Sequence, residues 1–359
     1  ISSMPVHFGC VEFDARQDVF IDQEFIICKD TGIIQVKEFP TTDLLYMTSH
    51  NDAIGKVWQQ LFDSVANAVK IAAQNKKNLK ILEIGGGSGK LAEKLLSILD
   101  VRQYDLFEPN LLEDICVSHE ALNIVRKYYT EESAPKEPYD LVIHSHVLEH
   151  VEDPIRFMKT VSSNIDDKTV QIFVVPNLKE TFSKKYTNAL NFEHTFFLTE
   201  EYVDVILNNE MMKIQNKEYF LDHSIIYTVK KEENIACKKM PNLFEEHIDL
   251  LESFINYHES FVQKTNQKIK NFDGDVFLFG GHIFSQYLIG FGLETDKIAS
   301  ILDNSPIKIG KRLYGTNLWV HHPNVIEGKK CAVILKVASY REEIIEQLLK
   351  INPSVVIIE

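Results

Sequence analysis

Four short stretches hold residues whose types and spacing could do chemistry: 80–90, Glu108 with Pro109, 144–150, and 191–194. In the first, the apolar run Ile81, Leu82, Glu83, Ile84 breaks into Gly85, Gly86, Gly87 and Gly89, and a periodic apolar segment follows. A buried strand turning tightly into a helix has this pattern. Glycines there let the backbone take positive φ and let a ligand approach the main chain. A P-loop needs two glycines five positions apart, then Lys and Ser or Thr; here Gly85 and Gly89 are four apart and Leu91 follows Lys90. A dinucleotide loop wants Gly or Ala at its sixth position, where this chain has Lys90, which disfavours NAD and an oxidoreductase.

The other stretches carry titratable groups. His146 and His150 are four apart with Glu149 between them. The H-E-x-x-H order of helical zinc sites is absent, so no metal is expected here, and His150 and Glu149 are read as capping or pairing locally. Glu193 and His194 lie in an aromatic setting with Phe192, Phe196 and Phe197. An imidazole, ordinarily titrating near pH 6.5, is suited to take a proton from a hydroxyl or from a carbon α to a ketone. Glu193 would then orient the ring or bind a hydroxyl. A core histidine satisfied by backbone, with Glu193 on the surface, is the other reading of the same residues.

The elements that must position these groups alternate. Strand 81–84 leads to helix 90–99, strand 103–108 to helix 110–116, then strands 122–126 and 139–145, helix 154–162 and strand 169–175, which closes the series. This β-α-β order predicts a doubly wound α/β fold with a parallel sheet, which binds ligands at the carboxyl ends of its strands. The polar strand ends are Glu83, Glu108, His144 to His146, and Asn177. Before this core, runs at 19–27 and 33–36 predict a small N-terminal β module, and apolar residues from Ile54 to Val69 at steps of three and four predict a helix over 53–73. After Tyr227 a charged stretch reads as an edge or linker. A long helix over 243–269 follows, then a second Rossmann-like series from Asp275: strand 276–279, Gly280 and Gly281, helix 283–289, strands 298–302 and 331–337, helix 341–350 and strand 355–358. The expected division is 4–50, 51–232 and 233–359.

Length, at 359 residues, supports two or three domains. A net charge of −14 argues against a general nucleic-acid-binding face. No apolar run approaches the roughly 20 residues of a membrane helix, and the N-terminus lacks a signal-peptide pattern, so a cytoplasmic protein is expected. Five scattered cysteines with no C-x-x-C pair read as reduced thiols.

The loop, E-x-G-x-G-x-G with an acidic residue ending the next strand, resembles motif I of class I S-adenosylmethionine-dependent methyltransferases; Glu108 lies 23 positions after Gly85. The resemblance implies that Gly85, Gly87 and Gly89 make room for the donor's amino-acid tail. Glu83 would receive its ammonium, and Glu108, with Pro109 beside it, would accept both ribose hydroxyls. The segment from His144 to Pro154 resembles the fourth-strand segment of the same superfamily, implying that His144, Ser145 and His146 flank the methionine part.

Over nearly its whole length the chain is similar to the sugar C-methyltransferase family of deoxysugar biosynthesis. The C-terminal likeness lies in Phe279, Gly280, Gly281 and His282 and in the run from Leu302 to Thr316. The family implies a nucleotide-linked ketosugar as acceptor and a C-terminal domain that helps bind it. It also implies His194 as base with Glu193 as helper, and Asn177 and Asn191 on the acceptor side. Two positions depart from it. Asn191 stands where the family has tyrosine, which opens O- or N-methylation of a related sugar or phosphorylated metabolite, or a non-catalytic relative that binds the donor. In the N-terminal module Cys28, Lys29, Asp30, Thr31 and Gly32 replace a C-x-x-C-G turn and only Cys10 lies upstream, so a structural zinc, which takes four ligands, is not expected.

Overall fold

The N-terminal residues form five short strands, β1 (Met4–Pro5), β2 (Cys10–Val11), β3 (Phe20–Ile21), β4 (Phe25–Ile27) and β5 (Ile34–Val36). The computed structural model describes residues 1–40, 56–110, 117–187, 190–338 and 340–359. The beginning of the helix expected from residue 53, the helix expected over 110–116, and Cys116 therefore lie outside the described residues. The first strands do not share one sheet. β1 pairs with β3, and β5 lies between β4 and a strand of the central region, while β2 pairs with a strand near the C-terminus.

The apolar stripe expected from residue 53 forms helix α1 (Lys56–Ala73). It buries Leu61, Val65 and Val69 against the sheet behind it, each contributing about 1.5–3 kcal/mol by leaving water. Then come β6 (Leu79–Ile84), α2 (Lys90–Ile98), β7 (Val101–Phe107), β8 (Leu122–Val125), β9 (Leu141–Ser145), α3 (Pro154–Ser163) and β10 (Val170–Pro176). Asp153 caps α3 by accepting the Arg156 amide, and Pro154 opens the helix where a missing N–H costs nothing.

The series does not end at β10. Helix α4 (Leu178–Ser183), β11 (Phe196–Phe197), α5 (Glu200–Asn209), β12 (Met212–Phe220) and β13 (Ser224–Lys231) follow. Of the charged stretch read as an edge or linker after Tyr227, β13 takes the part up to Lys231, and residues 232–243 connect it to the next helix outside regular structure. β13 inserts antiparallel beside β10, and β12 closes the edge, giving the order β12-β13-β10-β9-β6-β7-β8. Charge hid this hairpin because an edge strand turns much of its surface to water.

The chain leaves β6 toward β7 and β8 and later returns to β9 on the other side. The switch point, and with it the crevice where such sheets bind ligands, lies at the ends of β6 and β9. One face of the sheet is covered by α1 and α2 and the other by α3 and α5.

Helix α6 (Phe244–Asn271) leads into β14 (Asp275–Phe279), α7 (Ile283–Gly290), β15 (Ile298–Leu302), β16 (Arg312–Leu313), β17 (Val320–His321), β18 (Cys331–Ile334), α8 (Arg341–Ile351) and β19 (Val356–Ile358). Five of these strands make a second, all-parallel sheet in the order β17-β15-β14-β18-β19. β16 instead pairs with β2. Among the described residues no helix is long and apolar enough to cross a membrane.

The described cysteines Cys10, Cys28, Cys237 and Cys331 are free thiols. Cys28 is exposed on a turn whose Thr31 carbonyl accepts from the Tyr202 hydroxyl (2.6 Å) and whose Gly32 carbonyl meets His247 Nδ1 (2.9 Å). Cys10 lies elsewhere, its thiol donating to the Gly281 carbonyl (3.2 Å).

Candidate active site

The glycine turn is shaped by close approach on one side and open space on the other. Gly85 has φ +72°, its N–H donates to the Phe107 carbonyl (2.7 Å), and a Cβ there would sit 2.4 Å from Val147 Cγ2. Gly87, at φ +53°, faces nothing within 4 Å. Both backbones are in the left-handed region that favours glycine. Gly89 (φ +78°) precedes α2 without a side-chain cap.

Glu108 stands across the turn. Its Oε2 accepts from the Gly87 N–H and its Oε1 from the Asn110 N–H, both at 2.9 Å, so the carboxylate is fixed at the rim, with Pro109 in the turn between. Glu83 lies beneath, 3% exposed and accepting from the Tyr104 hydroxyl at 2.6 Å. Burial pushes its carboxyl up to about 7, against the opposing Tyr104 hydrogen bond. Where β9 ends, the Ser145 hydroxyl is buried with no partner in the protein. Open space at Gly87, an anchored carboxylate and an orphaned hydroxyl fit a ligand bearing hydroxyls and an amino group, as the adenosylmethionine donor does.

The three residues after Ile143 part company. The His144 ring, expected beside the donor, is instead fully buried between Phe157 and Phe173, stacked on the latter at 4.7 Å, with Nε2 2.8 Å from Gln171 Nε2. Burial lowers it to about 3, so it is neutral and part of the core. Strand alternation sends its side chain to the α3 face. His146 turns the other way, in left-handed backbone (φ +55°) that costs a non-glycine residue energy. Its Nδ1 is 2.9 Å from Glu149 Oε1 and its Nε2 is 3.1 Å from Ser224 Oγ.

The tertiary fold joins the third and last stretches named in the sequence. The Thr195 amide donates to the Glu149 carbonyl (3.0 Å) and its hydroxyl to the Val151 carbonyl (2.5 Å), clamping the 191–195 turn on the loop after β9. This sets the His194 ring, 6% exposed, edge-on to His150 at 4.7 Å. Glu193 Oε2 lies 3.7 Å from His150 Nδ1, and Glu149 is buried beside them. Burial alone would raise the Glu149 carboxyl, but the His146 hydrogen bond and the His146, His150 and His194 rings outweigh it and hold it at about 2. An ionised carboxylate thus sits among three imidazoles, a setting for moving protons or holding a cation.

The two asparagines have local structural duties. Asn191 Oδ1 accepts the His194 amide (3.1 Å) and shapes the turn. Asn177, expected to meet the acceptor, is 8% exposed and caps α4, its Oδ1 facing the Glu180 amide. Arg312 is buried and paired with Asp18 through both guanidinium ends (2.6 and 2.7 Å).

Trp58, His223 and Ser224 gather around His146. Trp58 stands edge-on to His146 (5.1 Å) and His223 (5.2 Å), and His223 Nδ1 is 2.6 Å from Ser224 Oγ. Trp58 was one member of an apolar stripe. A histidine and a serine adjoining a hairpin turn give no signal until β13 is known to lie beside β10.

Residues 57–214 match the family model described as a methyltransferase domain. No curated protein matches the chain. Among solved structures it is similar to the N-methyltransferase NodS from Bradyrhizobium japonicum in complex with S-adenosyl-L-homocysteine (13% identity, 54% of this chain and 94% of that one, TM-score 0.39). It is also similar to magnesium protoporphyrin IX methyltransferase from Synechocystis with the same product bound (18% identity, 51% and 90%, TM-score 0.39). An S-adenosylmethionine-dependent methyltransferase from Aquifex aeolicus is a third (11% identity, 49% and 93%, TM-score 0.40). The matched region, which includes the glycine crevice, is a methyltransferase domain.

Proposed function

We propose that this methyltransferase acts on a nucleotide-linked sugar, with His194 as general base. The observation that carries the base role is the buried turn that sets His194 against His150, next to ionised Glu149, in the loops that follow β9 and β10. The sugar-nucleotide class is supported by the sequence likeness of the 279–282 and 302–316 segments to the sugar C-methyltransferases.

When bound, S-adenosylmethionine supplies a methyl group on a sulfonium that leaves as a neutral thioether. This chain's residues place and prepare the partners. Glu108 holds the ribose of the adenosine end, the glycine turn makes room for the amino-acid tail, and Glu83 receives the ammonium. His194 takes the proton that the acceptor releases as its oxygen or carbon bonds to the methyl carbon. Glu149, ionised beside the ring, stabilises the imidazolium that results. The residues from 233 onward contribute to the acceptor site.

Asn191 favours a second reading, O- or N-methylation of a related sugar or phosphorylated metabolite. It has no phenol to assist enolisation, and its amide oxygen is used in the turn.

Calorimetry with S-adenosylhomocysteine and turnover on a set of sugar nucleotides test the two halves separately. His194→Asn is expected to lower kcat by about 10²–10⁴-fold with product affinity unchanged; near-normal turnover would make His194 structural. Donor binding without turnover on any acceptor would point to the non-catalytic relative.

A further inference from the structure

The Glu149, His150 and His194 cluster has a second property that the sequence spacing hid. Each offers one ligand atom, and the three atoms lie within 4.8 Å of one another. We infer that this cluster is a binding site for a divalent transition-metal ion. His146 and His150 are four apart in sequence without the H-E-x-x-H order; the histidine that joins His150 and Glu149 in space is His194.

Glu149 is the ligand with an unmet need. It is 4% exposed, His146 occupies its Oε1, and its Oε2 is buried with no hydrogen-bond partner. A buried carboxylate oxygen left unpaired is costly, and here the orphan belongs to a group with two imidazoles in reach. A cation would satisfy the oxygen and draw in the two rings.

The donor set selects the ion. Two imidazoles and one carboxylate suit zinc and its first-row neighbours better than calcium or magnesium, which prefer all-oxygen shells. Three protein ligands leave a fourth position for water or an acceptor oxygen, the pattern of open rather than purely structural zinc sites.

The outer partners are also present. His146 bonds the ligating carboxylate and is itself held by Ser224 Oγ at 3.1 Å, the kind of backing that orients metal ligands. Glu193, 3.7 Å from His150, adds negative charge at the side. The Thr195 contacts with the loop after β9 keep the two ligand-bearing segments in register without a metal.

The inference goes beyond the methyl-transfer reading and does not depend on the acceptor. Where a cation is bound, the His194 lone pair is used, so the proton-accepting role belongs to the metal-free site.

The test uses the full chain, stripped with a chelator and titrated with cobalt(II) and then zinc. About one ion per chain is expected, with a visible cobalt band and no thiolate charge-transfer absorption. His150→Ala and His194→Ala should abolish the band. His146→Ala should weaken binding by about 10–100-fold, and the double variant Cys10→Ser, Cys28→Ser should bind as the parent does. Substoichiometric binding, a thiolate band, or unchanged affinity in folded His150→Ala and His194→Ala would overturn the site. The wild-type spectrum alone decides the case if those variants fail to fold. Calorimetry with S-adenosylhomocysteine on the same samples reports the donor site independently.

Discussion

The chain builds a strand, a glycine turn and a helix twice, and each time an acid follows the neighbouring strand. In the central sheet the Gly87 amide donates to Glu108 Oε2 at 2.9 Å; in the C-terminal sheet the Gly281 amide donates to Asp303 Oδ2 at 2.8 Å. The two crevices then diverge. A Cβ on Gly87 would meet nothing within 4 Å, whereas one on Gly281 would lie 2.8 Å from Cys10 Sγ. Asp303 also accepts from the Ser305 amide and Lys308 Nζ. Two residues before the first glycine the central strand has Glu83 and the C-terminal one has Leu278.

The N-terminal segment therefore plugs the second crevice. Gln286 holds it by accepting from the Gly9 amide and donating to the His7 carbonyl, and Asp18 clasps Arg312. A glycine turn with an acid opposite is thus a shape that serves a ligand or a piece of the same chain, and what fills it decides which. Any acceptor contact made by the C-terminal region uses other surfaces than the space over Gly281.

The plug offers the largest test of this contrast. Asp18→Ala leaves the Arg312 guanidinium, whose side chain is 5% exposed, without its buried partner, and should cost about 3–5 kcal/mol in urea unfolding. The folded variant should keep its affinity for S-adenosylhomocysteine. A stability loss confined to a few tenths of a kcal/mol would show that the clasp is dispensable.

The carboxyl beneath the open crevice comes next. Glu83 sits at about 7 in the folded protein, above its ordinary value. Its contribution is therefore fully present below the ordinary carboxyl range and is lost as pH rises through about 7, on the order of 3 kcal/mol by the end. Glu83→Gln should flatten that part of the stability profile between about pH 5 and 8. An unchanged slope would mean that the carboxyl is not the group responsible.

The smallest effect is the most discriminating. Glu108→Ala removes a charged acceptor from the open crevice and should weaken S-adenosylhomocysteine binding by about 1.5–3 kcal/mol with little change in stability. Asp303→Ala should do the reverse. Equal effects on ligand binding from both substitutions would break the distinction.

Much of this architecture was legible residue by residue. The turn from Ile84 through Lys90 and the stripe along α1 follow from contacts within a few positions, where local conformation and periodicity decide the outcome. The hairpin of β12 and β13 was not legible, because its exposed residues resemble a linker until β10 supplies the neighbouring edge. His144 looked like a site residue by sequence adjacency, yet alternation along β9 sent its ring into the core while His146 turned to Trp58 and Ser224.

By itself, then, the sequence determined the glycine turn between strand and helix, the doubly wound order and the acid at Glu108, since each is written in short-range spacing. Only the tertiary structure decided that Glu149 and His150 meet His194, that Arg312 pairs with Asp18, and that Cys10 closes the second crevice. Those contacts join segments tens to hundreds of positions apart. Spacing along a chain does not encode such meetings; the packing of sheet, helices and loops does.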